Sequence, residues 1–422
     1  MPSETRIVLE NVGRIDPESL EQATSAGAYT ALRKVIEEGI PPERVVEEVD
    51  RSGLRGRGGA GFPTGKKWSL LAPGDEKYLI CNADEGEPGT FKDRLIMEGD
   101  PHRLIEGMIL AGYAIGAEKG YIYIRGEYTE PIERMERAIL AAREAGLLGE
   151  GILGSSISFD IEVKRGAGSY VCGEETAMIE SIEGKRGYPR LKPPYPGSAG
   201  LWGKPTVVNN VETLANVPPI VNRGAAWFRS FGTESSPGTK IFPIFGAVNE
   251  PKAVEAEMGT RLSDLIELAG GIRDGSRFKA ALIGGAAGAF LGPDGLEIGL
   301  DFEGPAERGG VLGSGAILVI DDGSSIPEIL HGILRFFKHE SCGQCAPCRA
   351  GTARTVELSR RILTGVGRES DLDLILELAE TMEATSFCPL GQSVILPVRS
   401  ALTLFPDEFL SCLKEPHAIA YD

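Results

Sequence analysis

Two hydrophobic periods run along this chain. Residues 78–81 (Tyr-Leu-Ile-Cys) and 121–124 (Tyr-Ile-Tyr-Ile) are short apolar runs, and 157–163 alternates apolar with polar, so all three read as strands. Between them, residues 101–115 and 131–145 place apolar side chains at helical spacing, each with Pro near its start, where a missing N–H costs nothing. This β-α-β-α-β order predicts an α/β sheet with helical crossovers. Ahead of it, 28–37 and 42–50 predict helices in a polar segment. The Pro- and Gly-rich stretch 187–205 breaks both periods and predicts a functional loop. Strands at 240–248 and 316–320 around a helix at 262–269 predict a small mixed domain. The remainder predicts a helical bundle. Ser325-Ile-Pro-Glu328 reads as a capping box, and Ile326, Ile329, Leu330, Ile333, Leu334 and Phe337 then share one face. Ser370 reads as the cap of a second helix reaching about 384, and 394–405 opens a third.

Composition narrows the functional classes. The chain has 422 residues, room for several domains, and a net charge of −17, which argues against nucleic acid or an anionic membrane face as partner. An anionic ligand must then be held by backbone N–H groups or a local basic patch. Glycine, at 56 residues, is about twice its ordinary share, and it falls in discrete motifs where backbone must approach a ligand or turn tightly. No segment approaches the ~18 apolar residues of a membrane span; the run 280–291 is interrupted by Gly284, Gly285 and Gly288. The opening MPSETRIVLE lacks the basic and apolar regions of a secretory signal, and seven unevenly spaced cysteines do not make a disulfide framework. A reduced, cytoplasmic protein without direct membrane insertion is expected.

Cys342-Gly-Gln-Cys345-Ala-Pro-Cys348 places three thiols within seven residues on what reads as a Gly- and Pro-bent loop, and Cys388 is available as a fourth. That is the donor set of a cubane [4Fe–4S] cluster. Structural zinc would more commonly use two separated C-x2-C pairs, and the polar company of Gly343, Gln344 and Arg349 is wrong for core cysteines. Cys81, Cys172 and Cys412 are scattered and read as small buried hydrophobes. One cluster is therefore provided for, and electrons reaching it must leave through another protein.

The second strong feature is Arg55-Gly-Arg-Gly-Gly-Ala-Gly-Phe-Pro-Thr-Gly-Lys-Lys-Trp68, with G-x-G-x-x-G at Gly56, Gly58 and Gly61. It follows a predicted helix instead of a strand, and Pro63 is expected to interrupt an immediate helix, so it is not a standard dinucleotide fingerprint. Its glycines still allow backbone N–H groups to approach a phosphate, with Arg57, Lys66 and Lys67 as local positive charge. Asn82-Ala-Asp84-Glu-Gly-Glu87 follows the first strand, Gly166-Ala-Gly-Ser-Tyr170-Val-Cys-Gly173-Glu174-Glu175 the third, and Val208-Asn209-Asn210-Val-Glu-Thr213 adds amides. In an α/β sheet ligands sit beyond the strand C-termini, so these acids and amides read as ligand-positioning groups. The four histidines form no metal-binding pair, and no Ser-His-Asp arrangement is visible, which leaves hydrolysis unsupported.

These motifs together, with RLKPPYPGSAGLWGKPTVVNNVET, resemble the NADH-binding flavoprotein subunit of respiratory complex I, a module shared with NAD-linked soluble hydrogenases and formate dehydrogenases, including electron-bifurcating ones. The resemblance runs from about residue 50 to 405. It implies an N-terminal helical segment (1–50), a Rossmann-like FMN/NADH-binding α/β domain (51–235), a ubiquitin-like β-grasp domain (236–323) and a helical [4Fe–4S] domain (324–422). It implies FMN contacts at Gly58, Gly59, Lys67, Asn82, Asp84, Tyr170, Gly173, Glu174, Asn209, Asn210 and Thr213. NADH would stack on the flavin, with its adenine near Phe62 and Tyr195 and with Lys192 as a further cofactor-binding residue. Glu87 and Glu175 would serve as catalytic residues bonding the nucleotide, Glu175 repelling a 2′-phosphate. Cys342, Cys345, Cys348 and Cys388 would hold the cluster.

The implied activity is NADH:quinone oxidoreductase chemistry: a hydride, with its two electrons, passes from NADH to FMN, then single electrons to the cluster, so that cofactors rather than side-chain acids carry the reaction. Implied partners are a thioredoxin-like [2Fe–2S] subunit and a larger multi-cluster subunit, with the complex peripheral to the inner membrane. The chain departs from the family pattern at Leu70, where many members have a third adenine-packing aromatic, and at Tyr195 for Phe, Gly86 for Ser and Pro389 for Ala or Gly.

Overall fold

The computed structural model describes residues 2–414; His417 and the end of the expected helical domain lie outside the described residues. Strands β1 (Tyr78–Ala83), β2 (Lys119–Ile124), β3 (Asp160–Arg165) and β4 (Thr206–Asn210) form a wholly parallel sheet in the order β3-β2-β1-β4. Along each strand, alternate side chains enter different cores. Leu79, Cys81, Ile122, Ile124 and Val207 pack into one shared with the helix Pro101–Ile115. Their neighbours Ile80, Tyr121, Tyr123 and Val208 enter a second core that continues into the C-terminal helices. Two covered faces explain why the strands read as near-continuous apolar runs. The helix Pro101–Ile115 is capped by Asp100, whose carboxylate accepts the Arg103 N–H at 3.3 Å, and ends at Gly116 in the left-handed region.

Because all four strands run one way, their C-terminal ends share one edge. The loops after Ala83 and Arg165 and the end of β4 emerge there together. The third strand begins at Asp160, later than the alternation from 157 implied, and the expected N-terminal boundary at 50 falls inside the helix Pro42–Ser52.

A second sheet comprises β5 (Thr239–Gly246), β6 (Lys252–Glu257), β7 (Phe278–Ile283), β8 (Ala289–Leu291) and β9 (Ile317–Asp321), in the order β6-β5-β9-β7-β8. β5 and β9 are parallel at its centre, all other pairs are antiparallel, and the helix Leu262–Leu268 contributes Leu262, Leu265 and Ile266 to this domain's core. This is the β-grasp arrangement. Arg57, expected to face a phosphate, instead lies fully buried against this domain and donates to the backbone carbonyls of Thr239 at 3.0 Å and Pro237 at 2.7 Å.

The C-terminal region packs helices Ile326–Glu340, Ala346–Leu363, Glu369–Thr385 and Ile395–Leu404. Ser325 caps the first as expected. The cysteine run is not wholly a loop: Cys345 is the residue preceding the 346–363 helix, Pro347 occupies its first turn, and Cys348 lies inside it. Nor does Ser370 cap the 369–385 helix; Asp371 reaches back to accept the Arg368 N–H at 3.0 Å. Both differences follow from one rule, that Pro and short acidic side chains are as much at home in a first helical turn as in a loop.

Candidate active site between three domains

A cavity of about 420 Å³ opens at the C-terminal edge of the parallel sheet. Gly58, Gly59, Asn82, Asp84, Glu87, Tyr170, Gly173, Glu174 and Asn210 line it. Gly59 has φ of +143° with open space where a side chain would stand, and a Cβ on Gly58 would lie 2.9 Å from Asn210 Cβ. The glycine loop is thus bare backbone on the cavity side. Pro63 does not interrupt a helix here; it immediately precedes Thr64–Ser69.

The acids around the cavity are held differently. Asp84 is buried, and its Oδ2 has no hydrogen-bond partner in the protein. Burial, opposed by Arg125, pushes its carboxyl up to about 7. Glu87 accepts the Tyr170 O–H at 2.6 Å and the Ala287 N–H at 3.3 Å, and burial raises its carboxyl above the ordinary value despite those bonds. Glu174 caps the helix Glu175–Ile182, accepting the N–H groups of Thr176 at 2.9 Å and Ala177 at 3.0 Å. Glu85 is occupied likewise, accepting the N–H groups of Asp93 and Arg94.

Beside the cavity, Glu175 sits between two lysines, 3.2 Å from Lys67 Nζ and 2.8 Å from Lys192 Nζ. Burial works against its charge, but the two ammonium groups outweigh it and hold the carboxylate below its ordinary range. Lys67 also donates to the Val208 carbonyl at 2.8 Å, which fixes it against the middle of β4. Phe62 and Tyr195 are 45% and 60% exposed, and Leu70 62%, so each leaves apolar surface facing solvent. The Ala72 N–H donates to the Gly197 carbonyl, bringing the Leu70 and Tyr195 segments together.

Besides Lys67, engaged by Glu175 and the Val208 carbonyl, two more of the expected flavin ligands point elsewhere. Asn209 is buried with its Oδ1 on the Trp68 indole N–H at 2.8 Å, and Thr213 accepts the Arg57 backbone N–H at 2.8 Å; neither lines the cavity.

Several lining residues were not read from the sequence as parts of a site. Lys92 and Asp93 belong to a buried ion network in which Lys92 meets Asp93 at 2.7 Å and Glu212 at 3.0 Å, while Glu212 meets Lys240 at 2.6 Å. The β-grasp domain supplies Gly284, Ala287, Val311, Gly313 and Ser314. The C-terminal region supplies Pro389, Leu390, Ser393 and Leu396. The closely spaced Gly284, Gly285 and Gly288 are the one signal of these walls that the sequence carries.

Pro389 and Leu390 directly follow Cys388, so the cavity and the cysteines share a wall. Cys345, Cys348 and Cys388 are buried and Cys342 partly so, all in one apolar cluster, with Ser341 Oγ 3.3 Å from Cys348 Sγ. Among the described residues no three His, Cys, Asp or Glu side chains gather closely enough to grip a single ion. The four thiols share that cluster, and four cysteine thiolates are the donor set of a four-iron cube, one to each iron.

Comparison with known proteins now decides the family. The Nuo51 FMN-binding domain matches residues 49–219, the NADH-ubiquinone oxidoreductase-F iron-sulfur binding region 328–412, and the SLBB domain 241–287. The F 2 subunit of NADH-quinone oxidoreductase in Rhizobium meliloti (strain 1021) is 51% identical, covering 97% of this chain and 98% of that one. This chain belongs to the family of NADH-quinone oxidoreductase F subunits. The NADP-reducing hydrogenase subunit HndC of Solidesulfovibrio fructosivorans is 47% identical over 96% of this chain and 82% of its own. The crystal structure of an NAD+-reducing [NiFe]-hydrogenase in the H2-reduced state superposes with a TM-score of 0.84 at 38% identity, covering 99% of this chain and 68% of that one. The family thus spans quinone-reductase and hydrogenase relatives.

The cavity fits a flavin mononucleotide. Its volume lies in the range of small-molecule sites, the glycine loop leaves backbone open to it, and the unpartnered Asp84 oxygen offers an acceptor for a hydroxyl donor. Among the described residues no helix is long and apolar enough to cross a membrane.

Proposed function

We propose that this chain oxidises NADH at an FMN bound in the three-domain cavity and passes the electrons one at a time to a [4Fe–4S] cluster on Cys342, Cys345, Cys348 and Cys388. The observation that carries this is the shared wall: Pro389 and Leu390 line the cavity immediately after Cys388. A flavin bound there would take two electrons as one hydride and release them singly, the conversion that NADH and a cubane require between them.

The chain's own residues do the holding. Gly58, Gly59 and Gly173 let backbone come close to the flavin. Asp84 and Asn82 offer hydrogen bonds to its polyol side, and Asn210 closes the loop side. Glu87, seated by Tyr170, faces the nicotinamide region. Lys67 and Lys192 hold Glu175 as an anion, which favours a free ribose hydroxyl and disfavours a 2′-phosphate by repulsion. Phe62 and Tyr195 offer apolar surface to an adenine ring. Asn209 and Thr213 act from behind, by fixing Trp68 and the glycine loop.

Purified protein reconstituted with FMN is expected to reduce ferricyanide with NADH and to give a cluster EPR signal after dithionite. A zinc-loaded protein without that signal would sink the reading. Electrons then leave to iron–sulfur partners, expected to be a thioredoxin-like [2Fe–2S] protein and a multi-cluster protein, in a complex peripheral to the membrane. Co-purification with mass spectrometry identifies the host, quinone reductase or hydrogenase.

A further inference from the structure

The β-grasp domain does more than decorate the flavin domain. Its loop from Gly284 to Gly288 contributes Gly284 and Ala287 to the cavity wall, and Gly285 lies against Glu87 on the same wall. A Cβ on Gly285 would stand 2.4 Å from Glu87 Cγ and 2.5 Å from Glu87 Oε1. On the loop's other side, a Cβ on Gly284 would lie 2.9 Å from the Val311 carbonyl oxygen, and one on Gly313 2.6 Å from the Gly284 carbonyl oxygen. The loop is therefore pinned between the 311–313 backbone and Glu87, with no room for a side chain on either side. Ala287 donates its N–H to Glu87, and Thr90 and Ser314 hydroxyls meet at 2.8 Å, tying the 87–90 segment to the same domain.

We propose that Gly285 is a positioning residue for the NADH-oxidising site: the 284–288 loop of the β-grasp domain forms the seat that keeps the Glu87 carboxylate against Tyr170, on the wall of the flavin cavity and not across it. This rests on the reading of the cavity as the flavin site. A side chain at 285 must push Glu87 off its seat, and the opposite side of Glu87 is the cavity itself.

The test is a double-mutant cycle with a strain control. Gly285 has φ of +85°, so any side chain there also strains the backbone; Gly271, in the same domain, has φ of +78° with nothing within 4 Å. Gly271→Ala thus reports strain alone. FMN affinity is read from quenching of flavin fluorescence on flavin-free protein. Gly285→Ala is expected to weaken FMN binding at least about tenfold, to do so by less than about twofold when Glu87→Ala is already present, and Gly271→Ala to bind FMN as the parent does. An equal loss in both Glu87 backgrounds, or the same loss in Gly271→Ala, overturns the proposal.

The same cycle followed by thermal unfolding of flavin-free protein needs no ligand. Gly285→Ala is expected to lower the midpoint more with Glu87 present than with Glu87→Ala, and additivity there also overturns the proposal. Coupling in unfolding with a parent that binds no FMN supports the seat and defeats the flavin reading instead.

Discussion

Tyr170 donates its phenolic O–H to the Glu87 carboxylate at 2.6 Å. Its backbone N–H is held at the same time by Glu340 at 2.9 Å, and its ring meets Phe336 edge-on at 5.0 Å. Glu340 ends the helix that leads into Ser341 and Cys342, so one residue touches the cavity and the approach to the cysteines.

Tyr170→Phe removes one donor from a buried carboxylate. Glu87 already titrates above its ordinary value through burial, and the Tyr170 bond opposes that rise. A carboxyl raised in the folded state costs nothing while both states are protonated; the cost accrues as pH rises from its unfolded pKa and is complete above its folded one. The variant is therefore expected to lose about 1–3 kcal/mol near neutral pH and less in mild acid, measured by urea unfolding at both. An equal loss at the two pH values would show that Glu87 is not the partner that matters.

Asp84→Asn tests the unpartnered acid. With its carboxyl pushed up to about 7 by burial, Asp84 costs stability increasingly as pH rises from its unfolded value, near 4, through 7. Flavin-free Asp84→Asn is expected to melt higher than the parent at mildly alkaline pH, by the equivalent of about 1–3 kcal/mol, and to match it in acid. FMN affinity should fall in the same variant, because the amide is a poorer acceptor for a hydroxyl.

Glu175→Gln leaves Lys67 and Lys192 without the carboxylate between them. The ratio of NADPH to NADH use, as kcat/KM, is expected to rise about tenfold. Because the two lysines hold Glu175 below its ordinary range, the parent's preference for NADH should persist into mild acid. An unchanged ratio would remove Glu175 from the ribose site.

Cys345→Ala separates the two cofactors. Cys345 is buried with the other thiols, but the cavity wall is built from Pro389 and Leu390. The variant is expected to lose the dithionite EPR signal and the broad iron–sulfur absorbance while keeping flavin and NADH–ferricyanide activity.

The sequence alone determined the classes of element and the donor chemistry. Two-face burial makes continuous apolar strands, an amphipathic stripe makes a surface helix, and four suitably spaced thiols are a cluster donor set wherever they fold. These signals are local, so they survive without a structure. The direction in which a polar side chain turns is not local. Arg57 sits in a glycine loop that looks made for phosphate, yet it is buried against the β-grasp domain, because the backbone there offers it carbonyl acceptors. Asn209 and Asn210 are neighbours with opposite duties, one fixing Trp68 and the other facing the cavity, because successive residues of a strand point to opposite faces. The remaining walls of the cavity come from Gly284–Ser314 and Pro389–Leu396, far along the chain, and only packing of three domains around one sheet edge could bring them to Glu87.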